Sequence, residues 1–283
     1  MTSKLNIAIQ KVFDKDLEKL LQKIMVFGNL ACTKFDKDII SGGDTVKILY
    51  EGDVTLGDLT TTGQVTYGDT NVSSDEIKID QKPYVTFRLT DMEADQMEGD
   101  QAKTILDSKV KRAAYKFKKH VEDNLATLYT KAGVTYNSLS GAGYQITKST
   151  INDFLADMQV KFDEADLPEE NRFATLPPWM VGMLTKADAN QYTETGVDFR
   201  KNGFSGEYAG FKVYKSNSVY NDGTNFYPMF GIDGESFALA TQKKPKVEDA
   251  SRPDYFEQAK KMRMLYGFGC HRSDKLGTAK IIK

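Results

Sequence analysis

The sequence predicts an α+β fold, and three observations carry that prediction. An apolar stripe at helical spacing runs through roughly residues 93–131, far longer than an ordinary globular helix. Short β-branched and aromatic runs punctuated by glycines fill 41–91. A further helix pattern followed by several short strand patterns occupies the second half. The 283 residues permit one large domain or two modest ones, and 40% hydrophobic residues suffice for a packed core.

The elements follow in order. Leu5, Ile9, Val12, Phe13, Leu17, Leu20, Leu21 and Ile24 recur every three or four residues, which predicts an amphipathic helix over 5–30 ending near Gly28-Asn29. Val46–Tyr50, Ile77–Ile79 and Tyr84–Phe87 read as strands of a hairpin-rich segment. Glycines at 52, 57, 63 and 68 and the Thr60-Thr61-Thr62 run leave this hairpin little apolar surface, so it is either a mobile surface loop or lies on something else. Residues 50–80 carry seven acids (Glu51, Asp53, Asp58, Asp69, Asp75, Glu76, Asp80) against Lys78 alone, a net charge of −6.

Thr90 and Glu93 form a capping-box pattern ahead of the long helix. Its stripe is Ala102, Leu106, Val110, Ala113, Phe117, Val121, Leu125 and Leu128, stopping near Gly133. At 1.5 Å per residue, 93–131 would span about 58 Å, a coiled coil or a rod with other elements packed along it. Ala113 and Ala114 favour close approach by a sheet or hairpin. Residues 101–120 carry seven cations against Asp107, a net +6; a solvated face and complementary docking are both open readings.

Beyond it, 149–164 predicts a helix capped by Ser149, Arg172–Leu176 a strand, and Pro178 the first turn of a short helix. The stretch 196–210 reads as a glycine-spaced loop, followed by strands at 211–214, 226–232 and 236–241. The tail 243–263 reads as rather helical, with 265–270 and 279–282 as last strands.

The chemistry is sparse. A formal net charge of −2 argues against a protein dedicated to gripping nucleic acid. Cys32 and Cys270 are too few for a disulfide scaffold or a four-ligand metal site, and fit a reducing compartment. No apolar run approaches a membrane span, and nothing in the sequence directs the chain out of the cell that makes it. His120 reads as a surface residue, and His271 and Cys270 point to opposite faces of a strand. Metalloprotease, thiol-redox, nucleophile-elbow and phosphate-loop motifs are missing, so no catalytic, cofactor or metal residue is assigned. The acids Asp163, Glu164, Asp166, Glu169 and Glu170 read as a solvated cluster, and 221–225 as a β-turn.

Five motifs in order then carry a resemblance: Gly43-Asp44-Thr45-Val46-Lys47-Ile48; Ile79-Asp80-Gln81 with Tyr84, Phe87 and Asp91; Asn171–Pro178; Asn202–Gly206 with Gly210-Phe211, Val213-Tyr214 and Ser216-Asn217; and Phe237–Ala240 with Gln242. The chain resembles the major capsid proteins of tailed bacteriophages, whose shell fold is shared with the floor domain of herpesvirus capsids. The resemblance implies an N-terminal arm (1–40), an extended β-hairpin loop (41–91), a peripheral domain with a spine helix (92–147), an axial domain (148–240) and a return to the peripheral domain (241–283). It also implies self-assembly into hexamers and pentamers of an icosahedral shell, with a scaffolding protein and a portal as partners. Double-stranded DNA would be enclosed without tight specific binding, in a virion assembled in the bacterial cytoplasm, with no membrane and no cofactor.

In such shells the extended loop lies over a neighbour's peripheral domain. Acidic Glu51, Asp53, Asp58 and Asp69 are therefore expected to approach basic Lys109, Lys111, Arg112 and Lys116 of the next subunit; the competing reading turns those cations toward DNA. Covalent locking of the shell is not carried over, since Lys78 is the only ammonium between 50 and 80 and sits near the loop's base. The arm is expected to be too short for a fused scaffold. Three other readings stand beside it: a host-encoded nanocompartment shell, which needs an internal cargo groove; a phage tail or adaptor protein, a class that lacks the long spine helix; and an enzyme using the 163–170 carboxylates.

Overall fold

The computed structural model describes residues 25–34, 45–51, 72–90, 101–187, 204–250 and 257–283. A single helical turn, α1 (Phe27–Leu30), comes first. Gly28 and Asn29 therefore sit inside a turn instead of ending a longer helix, and Met25 and Val26 before it are not helical. The expected helical stretch from residue 5 to 24 lies outside the described residues.

Next, β1 (Thr45–Glu51) and β2 (Val72–Lys78) pair antiparallel from Thr45↔Lys78 to Glu51↔Val72, a two-stranded ribbon. Its connecting residues 52–71 lie outside the described set. The third expected strand, β3 (Tyr84–Thr90), leaves the ribbon and joins another sheet.

The helix α2 (Gln101–Ala126) runs about 39 Å at 1.5 Å per residue and tightens into a 3-10 turn at Thr127–Lys131. The predicted capping box at Thr90 and Glu93 falls where the helix start is not described. Val110, Ala113, Phe117, Val121, Leu125 and Leu128 are buried, so the stripe read from the sequence is the packed face. Each large apolar side chain so buried contributes about 1.5–3 kcal/mol.

Two short strands, β4 (Val134–Thr135) and β5 (Tyr144–Gln145), lead to α3 (Ile151–Glu164), capped by Thr150 where the sequence suggested Ser149. The Thr150 hydroxyl accepts from the Thr147 amide at 2.9 Å. Then come β6 (Arg172–Leu176), α4 (Pro178–Ala187), β7 (Phe204–Tyr208) and β8 (Phe211–Lys215). Within the predicted loop 196–210, residues 204–208 are therefore strand, and Ala209 and Gly210, both at positive φ, make the tight turn of a β7–β8 hairpin. The expected strand 226–232 is split, because Pro228 has no amide to donate to a ladder, into β10 (Asn225–Tyr227), which pairs with β9 (Tyr220–Asn221), and β11 (Met229–Ile232).

The largest departure is at the tail. Instead of helix, β12 (Phe237–Ala250) and β13 (Glu257–Cys270) form a long antiparallel pair with bulges near Lys243. Two short strands, β14 (Leu276–Thr278) and β15 (Ile281–Ile282), close the chain.

Among the described residues four sheets result: β1-β2; β12-β13-β3; the six-stranded β4-β14-β11-β6-β8-β7; and β5-β15-β10-β9. One core joins α1 and the stripe of α2 to Met262, Met264 and Tyr266 of β13. A second gathers Phe154, Met158 and Phe162 of α3 and Met180 of α4 over β6, β8 and β11. A third, small core joins the ribbon to the sheet through Val46, Ile77, Ile79, Ala238 and Ala240.

Candidate assembly surfaces

The sheet β12-β13-β3 organises everything that faces outward. Along β13 the side chains alternate: Met262, Met264 and Tyr266 turn toward α2, while Lys261 and Arg263 are exposed on the other face and Leu265 packs with the ribbon. The helix and the ribbon therefore lie on opposite sides of one sheet.

The ribbon is anchored by a close approach that only glycine permits. A Cβ at Gly267 would run into the Lys78 carbonyl, and one at Gly269 would meet Ile77 Cγ1 at 3.0 Å. Gln81 continues the seam by exchanging backbone hydrogen bonds of 3.1 Å with Tyr266. Going from Lys78 back to Ile77, the contact moves from Gly267 to Gly269, so the described part of the ribbon leads toward the Cys270 end of β13, and among the described residues nothing covers the Lys261 end, where Lys261 and Arg263 are exposed.

That uncovered half is basic. Lys246 of β12 stands directly across from Arg263, and Arg263 across from Tyr84 of β3. Tyr84 is 74% exposed, the most exposed large hydrophobic side chain among the described residues. Opposed like charges destabilise a bare sheet, so Lys246 and Arg263 gain when an anion sits on them. In the next row Glu248 faces Lys261 at 3.8 Å.

On the helix side, Lys109, Lys111, Arg112 and Lys116 are all exposed. At 3.6 residues per turn, Lys109, Arg112 and Lys116 fall within an arc of about 60°, while Lys111 points well away from them. Lys119 is paired with Asp123 at 2.9 Å. Of the acids expected to meet these cations, Glu51 closes β1 opposite Val72, and Asp53, Asp58 and Asp69 lie outside the described residues.

Two buried polar features escaped the sequence reading. Glu122, 1% exposed on α2, accepts from the amides of Val26 and Gly28, both at 3.0 Å and both through Oε1. Burial pushes its carboxyl above the usual range, opposed in part by these amides. The nearby Lys118 ammonium is lowered, mainly by burial. Within a run of charges, nothing marked Glu122 as the one turned inward. The arm is further tied where Cys32 bonds the backbone on either side of Ala238 in β12. Second, the buried Tyr266 hydroxyl accepts from Asn124 Nδ2 and contacts His120 Nδ1, both at 2.7 Å, which ties α2 to the sheet. Burial pushes the Tyr266 phenol up to about 12.

Of the acids at 163–170, Asp163 is engaged in a structural contact and Glu164, Asp166, Glu169 and Glu170 are exposed. Buried Arg172 draws Asp163 in at 2.6 Å and donates to the carbonyls of Leu167 and Pro168, closing the turn after α3. Among the described residues no His, Cys, Asp and Glu group could hold a metal ion, and no helix is long and apolar enough to cross a membrane. At 221–225, the Asp222 carboxylate accepts from the amides of Thr224 and Asn225 and holds a β-turn, as expected.

No family model and no curated protein matches the chain. Solved structures do. A chain from Mycobacterium phage Che8 matches with TM-score 0.72 and 18% identity over 90% of both chains. The capsid structure of the Cyanophage P-SCSP1u matches at 0.68 and 16% identity, covering 90% of this chain and 88% of that one. The asymmetric unit of the bacteriophage PhiM1 mature capsid gives 0.66 and 12%, with 91% and 87% covered. This chain, with its two-stranded ribbon, its long helix packed on a three-stranded sheet and its second, mixed-sheet core, thus has the shell fold of phage capsid structures.

Proposed function

We propose that this chain is a phage major capsid protein, a structural and not a catalytic subunit. It self-assembles into hexamers and pentamers of an icosahedral head that encloses double-stranded DNA. The observation that carries the reading is agreement of fold along nine-tenths of both chains with phage capsid structures. The domain plan follows: arm 1–40, extended loop 41–91, peripheral domain 92–147 with a return at 241–283, and axial domain 148–240. The protein belongs to the virion and is assembled in the bacterial cytoplasm, with a scaffolding protein and a portal as partners.

The acidic loop, with Glu51, Asp53, Asp58 and Asp69, docks on a neighbouring subunit. The arrangement of layers bears on where. Subunits related by rotation about an axis through a shell keep the same side outward. The ribbon stands on the sheet side, so a neighbour's ribbon arrives on the sheet side too. This favours the uncovered half-sheet with Lys246, Lys261, Arg263 and Tyr84 as its receiver over Lys109, Lys111, Arg112 and Lys116 of the helix. Each exposed pair contributes at most about 1 kcal/mol, but every interface repeats it.

Negative-stain microscopy of the purified protein tests the function. Closed shells or five- and six-membered rings are the expected result; a small monodisperse oligomer of any other kind refutes it.

A further inference from the structure

We propose that the exposed stripe of Lys109, Arg112 and Lys116 on α2 is a contact surface for the phosphate backbone of the enclosed duplex DNA. The inference rests on the capsid reading above and adds which face of the subunit turns inward.

The argument starts from the two sides of the sheet. The loop that carries seven acids between residues 50 and 80 is anchored on the side away from α2. In the proposed shell the basic half-sheet on that side is taken up by a neighbour's acidic loop, so a polyanion finds free cations on the other side, where the stripe is solvent-exposed. No ion pair among the described residues engages Lys109, Arg112 or Lys116, whereas the next cation along the helix, Lys119, is already neutralised by Asp123 at 2.9 Å. The receiver role for the acidic loop falls to the sheet face, leaving this stripe without an acidic partner from a neighbour.

The dimensions suit the ligand. From Lys109 to Lys116 the helix rises about 10 Å. Duplex DNA presents a phosphate every ~3.4 Å along each strand, so three side chains on one arc can reach about three phosphates. Such contacts carry no base information and weaken steeply with salt, which suits DNA that must slide in and out.

The test uses the full-length protein kept unassembled by dilution, with a 30-base-pair duplex of mixed sequence followed by fluorescence anisotropy across a salt series. Each variant is also tested for shell formation by negative stain. Lys109→Gln with Arg112→Gln and Lys116→Gln should lower the slope of log affinity against log salt by about 2–3 and still give closed shells. The charge-preserving Lys109→Arg, Arg112→Lys, Lys116→Arg combination should keep the wild-type slope. Lys246→Gln with Arg263→Gln should impair shell closure, and any slope it removes in the unassembled protein should add to the loss caused by the stripe variant. The proposal is overturned if the wild type does not bind the duplex, if the glutamine stripe variant keeps the wild-type slope, or if that variant loses closed shells. A wild type that binds DNA but never forms shells sinks the capsid reading instead.

Discussion

Glu122→Ala should release the arm from the spine helix. The carboxylate is 1% exposed, and one oxygen accepts the amides of Val26 and Gly28 at 3.0 Å each. Removing it leaves two amide donors without an acceptor in a buried place, at about 1–3 kcal/mol apiece. Some relief comes from no longer burying a charge, so a net loss of roughly 2–4 kcal/mol is expected. Glu122→Gln separates the acceptor from the charge, because its amide oxygen can take both hydrogen bonds without desolvating an anion; it should be neutral or slightly stabilising. The same logic fixes the sign of the pH dependence. The native carboxyl is raised above its ordinary 4.5, so its contribution to stability is full below that ordinary value and is lost as pH rises through the native one. Mild acid therefore tightens this contact, and the glutamine variant loses that part of the pH response. Urea unfolding at neutral and mildly acidic pH, with hydrogen exchange at Val26 and Gly28, measures both effects. If Glu122→Gln frees these amides as fully as Glu122→Ala does, the charge and not the acceptor holds the arm, and the reasoning is wrong.

Three further outcomes follow from other sites. Gly267→Ala drives a methyl group into the Lys78 carbonyl and should cost about 1–3 kcal/mol and speed hydrogen exchange at Ile77 and Ile79, while Gly269→Ala meets only the Ile77 side chain and should be milder; equal effects would contradict the backbone-contact argument. Arg172→Lys keeps the charge but loses the planar fork whose Nε, Nη1 and Nη2 reach three separate acceptors, so thermal unfolding should show a loss of about 2–4 kcal/mol, with protease cutting at 165–171; an unchanged midpoint is the contrary result. Tyr266→Phe removes the hydroxyl between Asn124 and His120 and should lower stability by about 1 kcal/mol without altering shell formation; in the wild type, absorbance titration should place this phenol's ionisation near pH 12.

How much of this was legible in the sequence depends on whether the signal was local. The stripe of α2, the strand Arg172–Leu176, the Pro178 start and the first half of the ribbon all rest on periodicity or turn chemistry within a few residues, and they stand where they were expected, while the second half, expected at 77–79, runs from Val72 to Lys78. The tail failed for a physical reason. Its alternation, Met262, Met264 and Tyr266 inward with Lys261 and Arg263 outward, is a period of two hidden by long charged side chains that also suit a helix. Bulges near Lys243 shift the phase on the partner strand, so neither strand shows one clean pattern throughout. Of the candidate contacts, the charges were legible and the side of the sheet was not. Which face a cation occupies depends on the partner strand and on where the ribbon lands, and both are set by contacts about 190 residues apart in sequence.

The near-zero net charge takes on a different meaning once the sheet divides it. Acids dominate the ribbon, cations line both the uncovered half-sheet and the outer stripe of α2, and these three regions are separated by apolar cores that hold them apart. In a lone subunit, Lys246 and Arg263 repel each other across a strand pair. Under the proposed docking of a neighbour's acidic loop this unfavourable arrangement would be relieved when copies of the chain meet side by side, so an electrostatic term that weakens the monomer would select its own neighbour. The cations of α2 are not part of that exchange, because the sheet lies between them and the ribbon. A charge balance of −2 is therefore compatible with a basic inner face, provided the acids are placed on the outer one.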